Sequence, residues 1–214
     1  FGVDIDPLAV EVAKFSLFLK LLENTPAEET EAFMRQTGEK ILPRMDNNIL
    51  NGNSLVGSSY AHFMPEIYNN RQKMEEIRMF DFSDEFRFAF DAIVGNPPYI
   101  RVQNMVHYSP DEYAFLKSDH SGFITSKSDL LDKYYLFIER ALSLLAPGGV
   151  VGYIVPHKFM NIASGEVLRG YLAEEKAIKK IVHFGTHQAF RGRSTYTCIL
   201  ILQKSYQEEF QIKS

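Results

Sequence analysis

The stretch Phe90–Tyr99 constrains what this chain can fold into more than any other. A short apolar run is followed by Gly95 and then by two prolines, which predicts a buried strand that ends abruptly in a stiff loop. Each proline fixes its own φ at about −65° and has no N–H to donate. Each also pushes the preceding residue toward extended geometry. The loop therefore presents the Asn96 amide, the Pro97 carbonyl and the Tyr99 ring from a rigid support.

These three groups suit the recognition of a flat ring that carries an amino group. The side-chain amide of Asn96 and the carbonyl of Pro97 are acceptors for the two amine hydrogens, and Tyr99 offers an aromatic face. The alternative is a Pro-Pro turn after a core strand, in which Asn96 only caps its own backbone. Asp91 before the strand and Tyr99 after the prolines favour the functional interpretation.

The sequence Asn96-Pro97-Pro98-Tyr99 resembles the catalytic motif of amino-group methyltransferases that use S-adenosylmethionine. Enzymes with this motif act on adenine in DNA, on adenine or guanine in RNA, and on a glutamine of translation release factors. The resemblance of the motif alone leaves these three substrate classes open, so the rest of the chain has to decide among them.

Length, charge and cysteine content bound the class of protein. The 214 residues suffice for one sizeable domain or two small ones, and the net charge of −4 provides no global basic surface for nucleic acid. Cys198 is the single cysteine, which excludes an intrachain disulfide, and its strand-like context predicts a buried structural thiol. No apolar run is long enough to span a membrane, and no signal-peptide pattern is present. The expectation is a soluble, cytoplasmic protein.

The first residues predict a strand end, an acidic tip and a helix that Pro7 opens. The helix is apolar on more than one face, which predicts that it is well buried. Asp4 lies where nucleotide-binding α/β folds place an acidic residue that accepts hydrogen bonds from ribose hydroxyls. Asp6 is predicted to cap the helix. The alternative, in which both aspartates only cap, remains open from this stretch alone.

Residues 47–57 predict a short strand that ends in a small polar loop around Asn53. In the methyltransferase resemblance this loop holds the adenine of the cofactor. Many relatives carry an acid where this chain has Asn53, so the resemblance implies a different hydrogen bond to the adenine amine. An ordinary Asn-Gly turn is the competing interpretation.

The segment 100–128 is long and polar, which is typical of a lid or a substrate-contacting loop beside a site. Its Arg101, Lys117 and Lys127 are candidates for phosphate contacts, with simple solvation as the alternative. Residues 130–145 form the best amphipathic helix pattern of the chain, and Pro-Gly-Gly ends it.

The strand 150–156 then completes a crossover unit that implies a parallel sheet. A helix over 165–174 and strands over 178–184 and 197–203 complete the predicted elements.

This order of motifs resembles the catalytic domain of adenine-specific DNA methyltransferases of bacterial type II restriction–modification systems. The resemblance extends from Phe1 to about Lys204, so residues 1–204 are interpreted as that domain and residues 205–214 as a tail or the start of a linker. It implies an α/β, Rossmann-like, S-adenosylmethionine-dependent methyltransferase fold with a mostly parallel sheet and flanking helices. Three details favour adenine in DNA over the release factor: the long connection before Asn53, the long loop after Tyr99, and the Phe190 loop with the strand Ser194-Thr195-Tyr196-Thr197 that follows it.

The resemblance also implies a role for individual residues. Asp4, with Ile5, binds the cofactor ribose, and the Asn53 loop with Ser54 and Leu55 binds the cofactor adenine. Asn96 and Pro97, held by Pro98, accept hydrogen bonds from the 6-amino group of the target adenine. Tyr99 and Phe190 stack on that base after it has flipped out of double-stranded DNA. The chemistry needs no metal and no covalent nucleophile.

The chain departs from the family pattern at its start. Family members carry a glycine-containing cofactor loop after a first strand, upstream of the strand that ends in Asp4, and this chain begins after that point. The expectation is therefore an N-terminally truncated, inactive domain that binds cofactor weakly or not at all and that can complete its sheet by pairing with a second copy. No target-recognition domain is visible. RNA or protein-glutamine methylation, and a domain without catalysis, are the competing functions.

Overall fold

The computed structural model describes residues 1–23, 26–37, 44–128, 130–185, 196–204 and 211–213. Seven strands within these ranges form two separate sheets. The fold is α/β with flanking helices, as predicted. The strands are β1 (Gly2–Asp4), β2 (Ile49–Asn51), β3 (Phe90–Gly95), β4 (Leu145–Pro156), β5 (Ile178–His183), β6 (Thr197–Gln203) and β7 (Gln211–Lys213).

The α-helices found within the described ranges include the three that the sequence predicted, at Pro7, within 130–145 and within 165–174. They are α1 (Pro7–Leu22), α2 (Ala27–Thr37), α3 (Ser59–Phe63), α4 (Arg71–Ile77), α5 (Phe82–Glu85), α6 (Pro110–Lys117), α7 (Lys133–Leu144) and α8 (Glu166–Glu174). No helix in the described part of the chain is long and apolar enough to cross a membrane.

The larger sheet has the strand order β3-β4-β6-β5-β7. The crossover through α7 makes β3 and β4 parallel, as the helix–Pro-Gly-Gly–strand pattern predicted. β6 runs antiparallel to both β4 and β5, so the sheet is mixed. β7 pairs in parallel with β5, so residues 211–213, interpreted from the sequence as tail or linker, belong to this sheet.

The hydrophobic core joins buried residues of β4, β5 and β6 to those of α7, α8 and the segments around α3 and α6. Tyr134, Ile138 and Ala141, which share one face of α7, are buried as the amphipathic pattern predicted, and Leu136 on the opposite side is buried as well. The buried thiol of Cys198 is also confirmed, and burial raises its pKa to about 12. The thiol is therefore protonated at neutral pH and serves as a small apolar side chain.

Two predictions of burial are wrong for the described structure. β3 was expected to be a buried strand, but Val94 is 84% exposed. Helix α1 was expected to be well buried, but Val10 is its only buried residue. Val94 is exposed because β3 is an edge strand within the described residues, paired only with β4, and because Val94 lines a groove. Hydrophobicity shows that a surface suits burial, but not what covers it.

The segment 100–128 was interpreted as a lid or a substrate-contacting loop, but part of it packs into the core. Its short helical turns and α6 bury Val102, Met105, Phe115 and Leu116. The Lys117 ammonium donates to the carbonyls of Ser126 and Ser128 at 2.6 and 2.9 Å. Lys117 is therefore committed within its own segment, whereas Arg101 and Lys127 are exposed.

Candidate active site

A groove of about 610 Å³ separates the two-stranded sheet from β3 and α7. It brings together most of the site residues that the sequence predicted, because the loops at the carboxyl ends of β1, β2 and β3 open into it. Leu55 and Tyr99 do not line it, and Leu55 is buried in the core. The predicted residues that line the groove are Asp4, Ile5, Asn53, Ser54, Asn96, Pro97 and Pro98.

Asp4 is held at the groove by the turn that starts α1. Its Oδ1 accepts the Asp6 N–H at 2.8 Å, while the Asp6 carboxylate accepts the Leu8 N–H at 2.9 Å. The predicted cap at Asp6 is thereby confirmed. The Asn51 amide donates to the carbonyls of Asp4 and Ile5 at 2.9 and 3.0 Å, which fixes the backbone at the strand end. An exposed carboxylate on a fixed turn suits recognition of neighbouring hydroxyl groups.

Asn96 and Tyr99 form a hydrogen-bonded pair at the end of β3. The Tyr99 hydroxyl lies 2.5 Å from Asn96 Oδ1 and 2.9 Å from the Ile154 carbonyl oxygen. Burial raises the pKa of Tyr99, and Cys198 contributes in the same direction, so the hydroxyl keeps its proton at neutral pH. Its single proton is donated to one of the two acceptors at a time. This contact orients the Asn96 amide and leaves Oδ1 a second lone pair.

The prolines give this loop its fixed shape. Pro97 is buried and Pro98 half-buried, whereas Asn96 is exposed. Among the residues described, none donates a hydrogen bond to the Pro97 carbonyl. The ring of Tyr99 lies edge-on to Tyr134, with centroids 6.3 Å apart and planes at 80°. The predicted stacking of Tyr99 on a base stays a prediction, and Phe190, its proposed partner, lies outside the described residues.

Asn53 is more enclosed than the sequence suggested. It is 3% exposed, its Nδ2 donates to Glu112 Oε1 at 3.2 Å, and its Oδ1 accepts the Leu55 N–H at 3.0 Å. Both ends of the amide therefore make internal hydrogen bonds that shape the loop after β2. Its contact with the adenine of a cofactor remains a prediction, and Ser54 lines the groove beside it.

Sequence reasoning missed two cations on α7, Lys133 and Arg140, which line the groove. Lys133 Nζ lies 2.8 Å from Glu112 Oε1, and Arg140 Nε donates to the Ser54 carbonyl at 3.1 Å. Burial lowers the pKa of Arg140, while Asp81 and Glu139 act in the opposite direction. The available signal was their spacing, because two cations seven residues apart share one face of a helix that is otherwise apolar.

A stack of three rings lies at the same end of the larger sheet as Asn96. His157 stacks on His183 with centroids 4.5 Å apart, and on Tyr196 at 5.9 Å. Burial lowers the pKa of His157, and His183 lowers it further, so this imidazole is neutral at neutral pH. No group of His, Cys, Asp and Glu side chains in the part of the chain described here is arranged to hold a metal.

Comparison with known proteins decides the family. The sequence model described as Eco57I restriction-modification methylase matches residues 1–190. The chain belongs to this family. The methyltransferase motif and the family together imply S-adenosylmethionine as the cofactor, and the groove fits such a molecule in volume and in its mixture of apolar walls and a few polar groups.

The chain is much shorter than the curated relatives that it matches. It is 38% identical over 210 residues to the type II restriction enzyme and methyltransferase RM.Eco57I of Escherichia coli, covering 98% of this chain and 19% of that protein. It is 31% identical over 110 residues to the type II methyltransferase M.HincII of Haemophilus influenzae, covering 51% of this chain and 21% of that protein. The chain thus spans about a fifth of the length of these relatives.

Among solved structures, the type IIL restriction-modification enzyme MmeI in complex with DNA superposes with a TM-score of 0.48. The sequence identity is 13%, and the match covers 99% of this chain and 32% of that one.

Proposed function

We propose that this chain is the catalytic part of a DNA methyltransferase that transfers a methyl group from S-adenosylmethionine to the 6-amino group of adenine in a restriction–modification system. One observation carries the proposal. The acceptors Asn96 Oδ1 and Pro97 carbonyl lie on a rigid loop that opens into the same groove as the Asp4 carboxylate. The family match and the relatives named as type II methyltransferases support DNA as the substrate.

The chemistry follows from what the loop offers. The lone pair of an adenine amine is delocalised into the ring, so the amine is a weak nucleophile. S-adenosylmethionine supplies an electrophilic methyl group on a positively charged sulfur when it is bound. Asn96 Oδ1 and the Pro97 carbonyl accept the two amine hydrogens, and this stabilises the positive charge that develops on nitrogen in the transition state. Tyr99 keeps the Asn96 amide aimed at the groove through its hydroxyl.

Access to the amine requires that the base leaves the duplex. An enzyme that acts on a base within double-stranded DNA has to flip it out, and stacking on an aromatic side chain offsets part of the lost stacking, about 1–3 kcal/mol per base. Tyr99 and Phe190 are proposed for this contact. Because the chain carries a net charge of −4, phosphate contacts are expected from exposed cations such as Arg101 and Lys127 and from other parts of the full-length protein.

The substrate class is tested by expressing the full-length protein in a bacterial host that lacks adenine methylation. DNA, RNA and protein from these cells are hydrolysed and analysed by mass spectrometry. The proposal expects N6-methyladenine in DNA. Methylated bases confined to RNA, or methylated glutamine in protein, would favour RNA or protein as the substrate. Cofactor binding without any methylated product would favour a domain without catalysis.

Asp4 gives a prediction for cofactor binding. Asp4→Ala removes the carboxylate proposed to accept hydrogen bonds from both ribose hydroxyls, and charged hydrogen bonds contribute about 1.5–3 kcal/mol each. Because both hydrogen bonds are lost, a total of about 3–6 kcal/mol, the dissociation constant of the full-length protein for S-adenosylmethionine should rise by roughly 10²- to 10⁴-fold in isothermal titration calorimetry. Asp46→Ala is the matched control, because Asp46 is an exposed carboxylate that pairs with Lys14 outside the groove. Equal affinities for wild type and Asp4→Ala would contradict the ribose assignment.

In the described part of the chain, β1 and β3 each have one edge without a neighbouring strand, which supports the expectation of an incomplete sheet. Within the described residues β1 pairs only with β2, and β3 only with β4, and both strands line the groove. We further propose that a strand from another segment of the full-length protein pairs along these edges and completes the cofactor site.

This proposal predicts the behaviour of residues 1–214 as an isolated chain. Without the additional strand, the chain should bind S-adenosylmethionine at least about tenfold more weakly than the full-length protein, because one wall of the site is absent. Calorimetry on both proteins, with sedimentation to detect pairing of two copies, provides the measurement. Equal affinities from a monomeric isolated chain would contradict the proposal.

A further inference from the structure

Glu112 on α6 is a buried carboxylate next to the groove that the proposed reaction does not use. The residue is 5% exposed. Its Oε1 accepts from Asn53 Nδ2 at 3.2 Å and from Lys133 Nζ at 2.8 Å, and its Oε2 accepts from Ser109 at 3.3 Å. A buried carboxylate is costly unless donors and a counter-charge surround it. Here both are present, so Glu112 connects Asn53 to Lys133.

The partner of this carboxylate, Lys133, belongs to the wall of the groove. Its side chain is 13% exposed, and it lines the groove beside Asn53. The Lys133 N–H donates to the Ile100 carbonyl at 2.7 Å, directly after Tyr99, so Lys133 also adjoins the catalytic loop. The Glu112–Lys133 pair therefore joins the loop proposed for the cofactor to the loop proposed for the amine.

The charge of Lys133 matters because of what the groove is proposed to hold. S-adenosylmethionine carries a fixed positive charge on its sulfonium, and S-adenosylhomocysteine, its demethylated product, has a neutral thioether in its place. An unpaired ammonium in a poorly solvated wall repels the first ligand more strongly than the second. With Glu112 in place, the ammonium is neutralised at 2.8 Å.

We infer that Glu112 is a positioning residue that neutralises Lys133 so that the groove accepts a sulfonium cofactor, and that holds Asn53 in the same contact. The inference rests on the proposed function. Glu112 touches neither substrate nor cofactor in this account. It acts through Lys133 on the preference between the charged cofactor and its neutral product, and through Asn53 on the shape of the loop.

The test measures affinities of the full-length protein for S-adenosylmethionine and for S-adenosylhomocysteine by calorimetry. In Glu112→Gln the shape is retained and the counter-charge is lost, so the affinity for S-adenosylmethionine should fall by about tenfold more than that for S-adenosylhomocysteine. The double variant Glu112→Gln/Lys133→Gln removes both charges and should restore the wild-type ratio. Asp111→Asn is the matched control, because Asp111 lies on the same helix as Glu112, pairs with Lys73 of α4 and does not line the groove.

The ratio of the two affinities separates this role from simple support of the structure. A general loosening of the fold would weaken the binding of both ligands equally. An unchanged ratio of the two affinities in Glu112→Gln would overturn the inference. If that variant does not fold, Lys133→Gln replaces it. This substitution leaves the Glu112 carboxylate without its counter-charge, so the affinity for S-adenosylmethionine should rise relative to that for S-adenosylhomocysteine. A wild-type protein that binds neither ligand would overturn the proposed function and the inference with it. Binding of both ligands with no shift in either variant would overturn the inference alone.

Discussion

Asn96→Ala is expected to lower the turnover number for DNA methylation by about 10²- to 10³-fold, the range seen when one preorganised hydrogen-bonding group is removed from the transition state. The substitution removes Oδ1, the acceptor that Tyr99 orients at 2.5 Å, and leaves the Pro97 carbonyl alone to stabilise the amine. The measurement is single-turnover transfer of labelled methyl groups by the full-length protein.

The separation of chemistry from binding makes this prediction specific. The affinity for S-adenosylmethionine should change by no more than about threefold, because the proposed cofactor contacts lie at Asp4 and in the Asn53 loop. Asn96→Asp retains an acceptor and should keep more activity than Asn96→Ala. Asn104→Ala, at an exposed asparagine in the following segment, should behave as wild type. A wild-type rate of methyl transfer in Asn96→Ala would contradict the proposed role of Asn96 in the reaction.

Glu139→Ala is expected to have the largest effect on stability, a loss of about 2–4 kcal/mol in the free energy of unfolding. Glu139 on α7 is 8% exposed, and its two carboxylate oxygens accept the N–H groups of Ile124 and Thr125 at 2.7 and 2.8 Å. Removing the side chain leaves these donors without a partner, and Thr125 is completely buried. The segment 101–128 would then lose one of its main attachments to α7.

Urea denaturation of residues 1–214 measures this loss. Glu139→Gln should have an intermediate effect, because an amide offers one acceptor oxygen where the carboxylate offers two. Glu174→Ala, at an exposed glutamate at the end of α8, is the control and should change stability by less than about 0.5 kcal/mol. A loss in Glu139→Ala no larger than the control's would show that the two N–H groups find other partners.

The sequence could predict the features that depend on interactions between residues close together in the chain. Asp6 as a helix cap and the stiff loop at Asn96 follow from neighbouring residues, and the amphipathic face of α7 follows from its periodicity. The parallel pairing of β3 with β4 follows from the crossover between them. The resemblance then located Asp4, Asn53 and Asn96, and the fold brings these three to one groove.

What the sequence could not predict depends on contacts between distant segments. Glu112 meets Asn53 across 59 positions and Lys133 across 21, and no local pattern marks such a pair. The segment 100–128 was interpreted as a lid or a substrate-contacting loop because it is long and polar, yet Val102, Met105, Phe115 and Leu116 within it are buried in the core. The exposure of Val94 depends on which neighbour β3 has, and local hydrophobicity carries no information about that.

The measurement that tests the central claim most directly identifies the atom that receives the methyl group. The purified full-length protein is incubated with methyl-labelled S-adenosylmethionine and an equal mixture of unmethylated DNA, RNA and protein, beside its Asn96→Ala variant. This account predicts label on the 6-amino group of adenine in DNA with the wild type, and about 10²-fold less with the variant. Label at any other atom, or equal labelling by both proteins, would contradict it.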